Sequence, residues 1–415
     1  MLLQTLLNGR YKFPGFKYVK VELTSDNCLA IYIEPIKRIK PCCSICHKKM
    51  PHYDTASKPR IFLFVPILGL KVRLYYWPRR VDCKEHGVVV EHMPWAAGKS
   101  PITIAFAIFL AHWAKKLSWQ ETAREFHVSW HNVFIAVKYV VDYGLKHRVL
   151  ENIQNIGIDE VLFRRGRQFV TLIYETTENS RRLLWVGLDR KAKTLLKGLR
   201  TIGLHNFKKL ETVSMDMWKP YLKVINKKFP KVLKILDRFH IMKKFNEAID
   251  AVRRQEAYDL AKQGKGEVLI NARWCLLKKP ENLTENQEQK LSELIKQNLK
   301  SYKTYLLRES FQKFWTYSTA GWAENFLDSW TKAAMYSKIK QIQKVAKMLR
   351  RHKADILNWF KVSPRISNGV VEGFNNKVKL VMRQHYGFRT FSAFEIALYH
   401  TMGALPEPQL THKFF

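Results

Sequence analysis

Short apolar runs separated by turn-forming residues fill the first quarter of the chain. The segments "YVKVEL", "LAIYIEP", "IFLFVPI" and "KVRLYYW" are rich in β-branched and aromatic residues, and proline, glycine or asparagine bounds them. This composition is typical of short β-strands joined by turns. We therefore expect residues 1–97 to form a small β-rich domain.

The pattern changes to helical spacing over residues 98–150, in "LSWQETAREFHVSWHNVFIAVKYVVDYG". Ser118 followed by Glu121 has the spacing of a capping box, and Ser129 can cap a second helix after the short turn "HVS". The first helix is predicted to end near Phe126 and the second near Tyr143. Two helices joined in this way form a helix-turn-helix layout.

The second helix of such a motif lies in the major groove of DNA, which would bring three polar side chains to the bases. These are His131, Asn132 and Lys138. An ordinary helical hairpin has the same local pattern, and that alternative stays open.

A strand-rich pattern returns over residues 151–245. Three strands, "NIGIDEVLF", "QFVTLIYETT" and "RLLWVGLD", precede a helix, the strand "ETVSMDMW", a second helix and the strand "VLKILDRF". Three antiparallel strands followed by alternating units predict a mixed sheet covered by helices, the element order of a ribonuclease H-like fold. Asp159 would then lie on the first strand and Asp216 at the end of the fourth. These strands are central neighbours in that fold, so the two carboxylates should meet.

The remaining chain is predicted to be helical. Residues 246–362 alternate charged and apolar positions at helical spacing, which indicates an all-helical insertion. Its tryptophans are expected to be mostly core residues, although one could stack on an unpaired base; they are Trp274, Trp315, Trp322 and Trp330. Residues 363–415 would return to the sheet as C-terminal helices, the first of which carries Glu372. The predicted fold class is therefore multidomain α/β.

Charge identifies the expected partner. Among 415 residues, 72 are Lys or Arg and 35 are Asp or Glu, a formal net charge of +37. A solvated basic surface is the alternative, but charge of this size favours a polyanionic partner, and we expect double-stranded DNA.

Two further expectations concern the cellular compartment. We expect no secretory signal and no membrane span, because "MLLQTLLNGRYKF" is short and the apolar stretch 102–114 is interrupted by polar residues. Four of the six cysteines fall between Cys28 and Cys46, which suits metal binding in a reducing compartment better than disulfides. Together these features predict a cytoplasmic protein, and the family resemblance carried by the motifs below implies a bacterial, nucleoid-associated one.

Two ligand pairs in the first domain predict a structural zinc site. Cys43-x-x-Cys46 and Cys83-x-x-His86 are two knuckles that could close a tetrahedral site. Buried cysteines with a surface histidine are the alternative. Three further side chains could replace one of the four ligands, so the ligand set stays open; they are Cys42, His47 and His52.

Three acids predict a second metal site. Asp159, Asp216 and Glu372 come from separate elements and could hold two Mg²⁺ ions, with Mn²⁺ as a substitute, for an in-line attack on phosphate. Lys379 and Arg383 follow Glu372 near one helix face, where they could contact the phosphates of DNA. A plain solvated helix face is the alternative.

The chain resembles the ISL-three family of bacterial insertion-sequence transposases over almost its full length. The matching segments include "PCCSICHKK", "LSWQETAREFHVSW", "IGIDEVLFRRGRQFVTLIYE", "VSMDMWKPY", "ILDRFHIMKKFNEAIDAVRR" and "SNGVVEGFNNKVK". The resemblance implies a zinc-binding N-terminal domain, a helix-turn-helix, and an acidic-triad catalytic domain interrupted by a helical insertion.

The resemblance also implies roles for individual residues. The triad falls on Asp159, Asp216 and Glu372, and an Asp-x-x-His element falls on Asp237 and His240, which would support the active site or pin the insertion to the core. The chain departs from the family at His86, where a cysteine is usual; histidine is an adequate zinc ligand.

The expected function is therefore that of a DNA transposase. It would bind terminal inverted repeats, cut DNA with two metal ions and transfer the cut strand, as a homo-oligomer of at least two subunits. A metal-dependent nuclease without strand transfer and a non-catalytic DNA-binding repressor are the alternatives.

Overall fold

The computed structural model describes residues 3–164, 166, 168–362 and 369–409. The chain divides into two compact units. One comprises residues 1–149 and 376–415, and the other comprises residues 150–375. The five domains predicted from the sequence are a finer division and stay a prediction.

The first unit begins with a helix and seven strands. Helix α1 spans Leu3–Arg10, and the strands are β1 (Phe16–Leu23), β2 (Cys28–Pro35), β3 (His52–Thr55), β4 (Arg60–Ile67), β5 (Leu70–Tyr76), β6 (Arg79–Cys83) and β7 (Gly87–Val90). They form a four-stranded sheet of order β1-β2-β5-β4 and a three-stranded sheet of order β3-β6-β7. The β-rich prediction is confirmed, but it missed α1. The side chain of Leu7 packs this helix against the core of the unit. The side chain of Asn8 accepts a hydrogen bond from the backbone N–H of Tyr18 at 3.0 Å.

The predicted capping pattern is confirmed in the helices that follow. These are α2 (Ile104–Trp113), α3 (Trp119–Glu125) and α4 (Trp130–His147). Ser118 and Glu121 form a capping box at α3, and Ser129 accepts from the backbone N–H of Asn132 at the start of α4. Helix α4 continues to His147 rather than ending near Tyr143, because Val140, Val141 and Gly144 keep its buried face continuous.

The second unit is built on a five-stranded mixed sheet. Its strands are β8 (Asn155–Arg164), β9 (Gln168–Glu175), β10 (Arg182–Leu188), β11 (Thr212–Met215) and β12 (Leu233–Leu236), in the order β10-β9-β8-β11-β12. β9 pairs antiparallel with β8 and with β10, whereas β11 pairs parallel with β8 and with β12. The predicted central position of β8 and β11 is therefore confirmed.

Two of these strands are shorter than predicted. β11 ends at Met215, before Asp216, and β12 ends at Leu236. The residues after Leu236 belong to the next helix because Asp237 is its N-cap and accepts from the backbone N–H of Phe239 at 2.7 Å.

Helices cover the sheet and fill the predicted insertion. They are α5 (Ala192–Ile202), α6 (Lys219–Lys228), α7 (Arg238–Lys262), α8 (Ala272–Leu277), α9 (Glu285–Ile295), α10 (Lys300–Gln312), α11 (Ala320–Tyr336), α12 (Lys340–Arg351) and α13 (Lys353–Leu357). One continuous core joins strand residues such as Ile158 to insertion residues such as Phe311 and Trp330. Trp315 and Trp330 are buried, whereas Trp274 and Trp322 are exposed.

Two helices complete the chain, α14 (Gly369–Gln384) and α15 (Phe391–Met402). The boundary between the units falls inside α14, after Asn375. Within the first unit, α15 packs against α4. Among the described residues, no helix combines the length and apolar character needed to cross a bilayer.

Candidate active site and metal centre

Asp159 lies on β8, and Asp216 directly follows the neighbouring parallel strand β11. The register pairs Met215 with Ile158, so Asp216 follows its strand at the level of Asp159. Both side chains are half-buried at the edge of the sheet. Burial, and to a smaller extent the charge of Asp216, act to raise the pKa of Asp159.

His240 contacts the second of these acids. Its Nδ1 lies 3.1 Å from Oδ2 of Asp216, and its Nε2 lies 3.7 Å from a carboxylate oxygen of Asp237. The Asp-x-x-His pair at the start of α7 is thus brought to the acids, with His240 in contact and Asp237 acting as the helix cap. Sequence reasoning left this choice of roles open.

Asn375 contacts the first acid, a residue that sequence reasoning missed. Its side-chain amide donates a hydrogen bond to Asp159, and its Oδ1 accepts from the hydroxyl of Tyr174 at 3.1 Å. The ring of Tyr174 stacks on Phe374, with centroids 4.5 Å apart. Neighbouring residues of α14 therefore anchor this helix to strands β8 and β9.

A glycine permits the close approach of helix and strand. A Cβ atom built at Gly157 would lie 2.5 Å from Cγ2 of Val371, a distance that real Cβ contacts do not reach. Any larger residue at this position would push α14 away from β8. The glycine in "NIGID" was a signal for this contact that the sequence alone could not interpret.

Glu372 lies on the first turn of α14, one turn before Asn375, and is exposed. Within the described part of the chain, its carboxylate does not join a cluster of three or more side chains that could share one metal ion. The structure thus brings together two of the three predicted acids and holds the helix of the third against the same strand. Lys379 and Arg383 are exposed further along α14.

The electrostatics differ between the two aspartates. Burial raises the pKa of Asp159 above its ordinary value. Burial also acts to raise the pKa of Asp216, but the hydrogen bond and charge of His240 outweigh it and lower that pKa. In return, the hydrogen bond to Asp216 raises the pKa of His240. These opposite shifts favour an ionised Asp216 beside a protonated His240.

A third acid, Glu160, lies next to this pair and was not predicted. Burial raises its pKa to about 7, and the charges of Asp159 and Asp216 act in the same direction. Nη1 of Arg190 lies 3.7 Å from the Glu160 carboxylate. Glu160 alternates with Asp159 along β8 and so faces the opposite side of the sheet. Its neighbour on that side is Tyr221 of α6.

The four predicted zinc ligands converge. The ligand atoms of Cys43, Cys46, Cys83 and His86 all lie within 4.8 Å of one another. The Cys46 and Cys83 sulfurs are 3.8 Å apart, and His86 Nδ1 lies 3.8 Å from Cys43 Sγ and 3.4 Å from Cys83 Sγ. Zn–S bonds of about 2.3 Å in a tetrahedron require S···S edges of about 3.8 Å, so these donors fit a zinc ion.

The surroundings of the cluster also suit a metal. In the part of the chain that the structure describes, the cluster packs with a small core of Cys43, Val81 and Cys83. Burial opposes ionisation of the Cys43 thiol, but backbone N–H groups of Cys46 and Ile45 and neighbouring thiols outweigh it and lower its pKa to about 7. A thiolate is the form that binds zinc.

The predicted DNA-reading residues lie on α4. His131 and Lys138 are exposed and Asn132 is half-buried. Lys138 forms an ion pair with Asp142 one turn later. Their contact with DNA stays a prediction.

Comparison with known proteins places the chain in a family. Residues 156–398, more than half of the chain, match the ISL3 family, which is described as transposase. The transposase for insertion sequence element IS1001 from Bordetella parapertussis is 26% identical over 396 residues, covering 94% of this chain and 96% of the relative. The transposase for element IS1557 from Mycobacterium tuberculosis is 27% identical over 382 residues, covering 86% and 85%. The chain therefore belongs to the ISL3 family of transposases.

Proposed function

We propose that this protein is the DNA transposase of an insertion sequence. It would bind the terminal inverted repeats of its element, cut the DNA there and join the cut strand to target DNA. The observation that carries the proposal is the adjacency of Asp159, on β8, and Asp216, directly after the parallel neighbour β11, inside the segment that matches the transposase family.

We infer that the five-stranded sheet is a ribonuclease H-like core interrupted by a helical insertion. The strand order, with three antiparallel strands followed by two parallel ones, supports this inference. The insertion enters directly after β12, where Asp237 caps α7. This arrangement lets the insertion begin at the edge of the sheet that carries the two acids.

The donor set suits divalent cations. Asp159 and Asp216 offer carboxylate oxygens, the ligands that Mg²⁺ and Mn²⁺ prefer, and Glu372 would be the third acid. When bound, two such ions would supply the charge that stabilises the attacking and leaving oxygens in an in-line displacement at phosphorus.

The protein's own residues would then orient the catalytic carboxylates and hold the DNA. His240 fixes the Asp216 carboxylate, Asn375 fixes that of Asp159, and α14 carries Glu372 beside the same strand. Lys379 and Arg383 would contact phosphates of the cleaved DNA. Catalysis would rest on positioning and electrostatics, and no covalent protein intermediate is needed.

The first unit would recognise DNA. Zinc held by Cys43, Cys46, Cys83 and His86 would stabilise the small three-stranded sheet, because folding without metal leaves it little core. The helix-turn-helix of α3 and α4 would read the end sequence. Because a transposition reaction joins two element ends, we expect at least two subunits on DNA.

One experiment separates this proposal from its two rivals. Purified protein is incubated with Mg²⁺, a labelled duplex carrying the element end, and a supercoiled plasmid. A transposase should join the labelled strand covalently to the plasmid. Cleavage without joining would indicate a nuclease, and binding without cleavage would indicate a repressor.

A further inference from the structure

Helix α5 carries a basic face that neither the sheet nor the candidate site uses. Lys193, Lys197 and Arg200 are exposed at spacings of four and three residues, which places them on one side of the helix. The other side buries apolar residues such as Leu195 and Leu199 against the sheet. The helix contains no acidic residue.

Arg190 extends this face to residues that lie close in the chain to the two aspartates. Its guanidinium lies 4.7 Å from the ring centroid of Phe169 and 4.9 Å from that of Trp218, and it pairs with Glu160 at 3.7 Å. Glu160 directly follows Asp159, and Trp218 lies two residues after Asp216. Arg190 thus contacts near chain neighbours of both aspartates, on the side of the sheet that Glu160 faces and opposite the Asp159 side chain.

The guanidinium of Arg190 remains accessible to a ligand. The side chain of Arg190 is 44% exposed, although two aromatic rings and a carboxylate restrict its position. Stacked arginines of this kind bind phosphate well, because the planar fork is pre-organised and weakly hydrated.

The spacing of the face suits a nucleic-acid backbone. Lys193 and Arg200 are separated by seven residues, or about 10 Å along a helix axis. Each DNA strand carries a phosphate about every 3.4 Å along its axis, so three cations at this spacing can follow about three phosphates.

We propose that Arg190, Lys193, Lys197 and Arg200 bind the sugar-phosphate backbone of DNA on the side of the sheet that Glu160 faces. We name this set the α5 basic face. The proposal rests on the proposed function, since it takes DNA as the substrate of this protein.

The chain contains a matched control for the charge itself. Lys340, Lys344 and Lys347 on α12 have the same spacing of four and three residues, are exposed, and lie on a helix that also lacks acidic residues. No described contact links them to residues adjoining Asp159 or Asp216. Replacing either set by alanine removes three positive charges and leaves helix-forming residues in place.

The test compares the two triple-alanine variants over a series of salt concentrations. Binding to an end duplex is measured for wild type, for Lys193→Ala/Lys197→Ala/Arg200→Ala, and for Lys340→Ala/Lys344→Ala/Lys347→Ala. Each lost phosphate contact lowers the slope of log K against log salt by about 0.9. We expect the α5 variant to lose about 2 to 3 from this slope and the α12 variant less than about 1.

Circular dichroism and melting temperature confirm that each variant is folded. If the α5 variant does not fold, the single substitution Arg190→Ala replaces it, with Arg190→Lys beside it. Arg190→Ala should lower the slope of log K against log salt by about 0.9, and Arg190→Lys should restore the slope but only part of the affinity, because it restores charge but not the planar fork.

Equal slopes for the two triple variants would overturn the proposal for the α5 basic face, as would an unchanged slope for Arg190→Ala. Failure of the wild-type protein to bind end DNA is a different result, because it would overturn the proposed function itself.

Discussion

The side-chain amide of Asn375 donates a hydrogen bond to the carboxylate of Asp159, although 216 residues separate them in the chain. This contact links the first turns of α14 to the central strand β8. Glu372 lies one helical turn before Asn375, so the helix carrying the third predicted acid is fixed beside the first. The two aspartates both belong to the segment that forms the sheet, whereas the whole helical insertion separates Glu372 from them in the chain.

Replacing Asn375 should therefore disturb catalysis more than DNA binding. A hydrogen bond to a charged group contributes about 1.5–3 kcal/mol, so Asn375→Ala should reduce the cleavage rate at saturating DNA by about tenfold or more. Leu380→Ala is the control, because Leu380 is exposed on the same helix. Equal rates for Asn375→Ala and Leu380→Ala would show that the contact does not position the site.

The two residues of the Asp-x-x-His element should respond differently to mutation. Asp237→Ala removes a helix cap and should lower the free energy of unfolding by about 1 kcal/mol, with cleavage falling in parallel. His240→Ala removes the partner of Asp216 and should slow cleavage about tenfold while melting temperature and end binding stay near wild type. Melting curves, binding and cleavage are measured on the same preparations. Normal cleavage by His240→Ala would contradict its assignment as a positioning residue.

The cysteine cluster predicts about one tightly bound zinc per chain. Cys43→Ser and Cys83→Ser should lose the metal and destabilise the first unit, whereas His86→Cys should retain it. Cys42→Ser is a matched control, since Cys42 adjoins the cluster but is not part of it. Elemental analysis of freshly purified protein measures the zinc content. A chain without zinc, or equal loss in Cys42→Ser, would contradict this ligand set.

The sequence predicted features that depend on local signals. Ser118, Glu121 and Ser129 act within three residues of their partners, so their capping roles could be deduced from spacing. The adjacency of Asp159 and Asp216 followed from the order of strands and helices. The two-residue knuckles likewise predicted which cysteines meet.

The features that were missed depend on contacts between distant segments. Asn375 was not predicted because only tertiary packing brings α14 against β8. Arg190 and Glu160 meet because the turn that precedes α5 places Arg190 over the ring of Trp218, and no local sequence pattern indicates this contact. Helix α1 was missed because its eight residues have no strong amphipathic pattern, and contacts with β1 stabilise it.

A half-buried histidine makes the first unit sensitive to acid. Burial lowers the pKa of His385 to about 4, and its Nδ1 accepts a hydrogen bond from the backbone N–H of Trp119 at the start of α3. The unfolded chain binds this proton near pH 6.5, whereas the folded chain does so only near pH 4. Stability from this group is therefore complete above pH 6.5 and decreases as pH falls toward 4.

We expect the wild-type protein to lose about 1 kcal/mol from this source between pH 7 and pH 5.5. His385→Gln should reduce the pH dependence, whereas His147→Gln, at an exposed position, should not. Urea unfolding at the two pH values, without DNA, measures the difference. An unchanged pH dependence in His385→Gln would show that protonation of this histidine does not affect folding.

The acids themselves provide the most direct test of the account. Asp159→Asn, Asp216→Asn and Glu372→Gln keep the shape of each side chain but remove a charge needed to hold a divalent cation. Each variant is compared with wild type for cleavage of labelled end DNA in Mg²⁺ and for binding to the same DNA. The account predicts that cleavage falls at least about a hundredfold in all three variants, while the dissociation constant changes by less than about twofold. Near wild-type cleavage by Asp159→Asn or Asp216→Asn would contradict the central claim that these paired carboxylates form the active site.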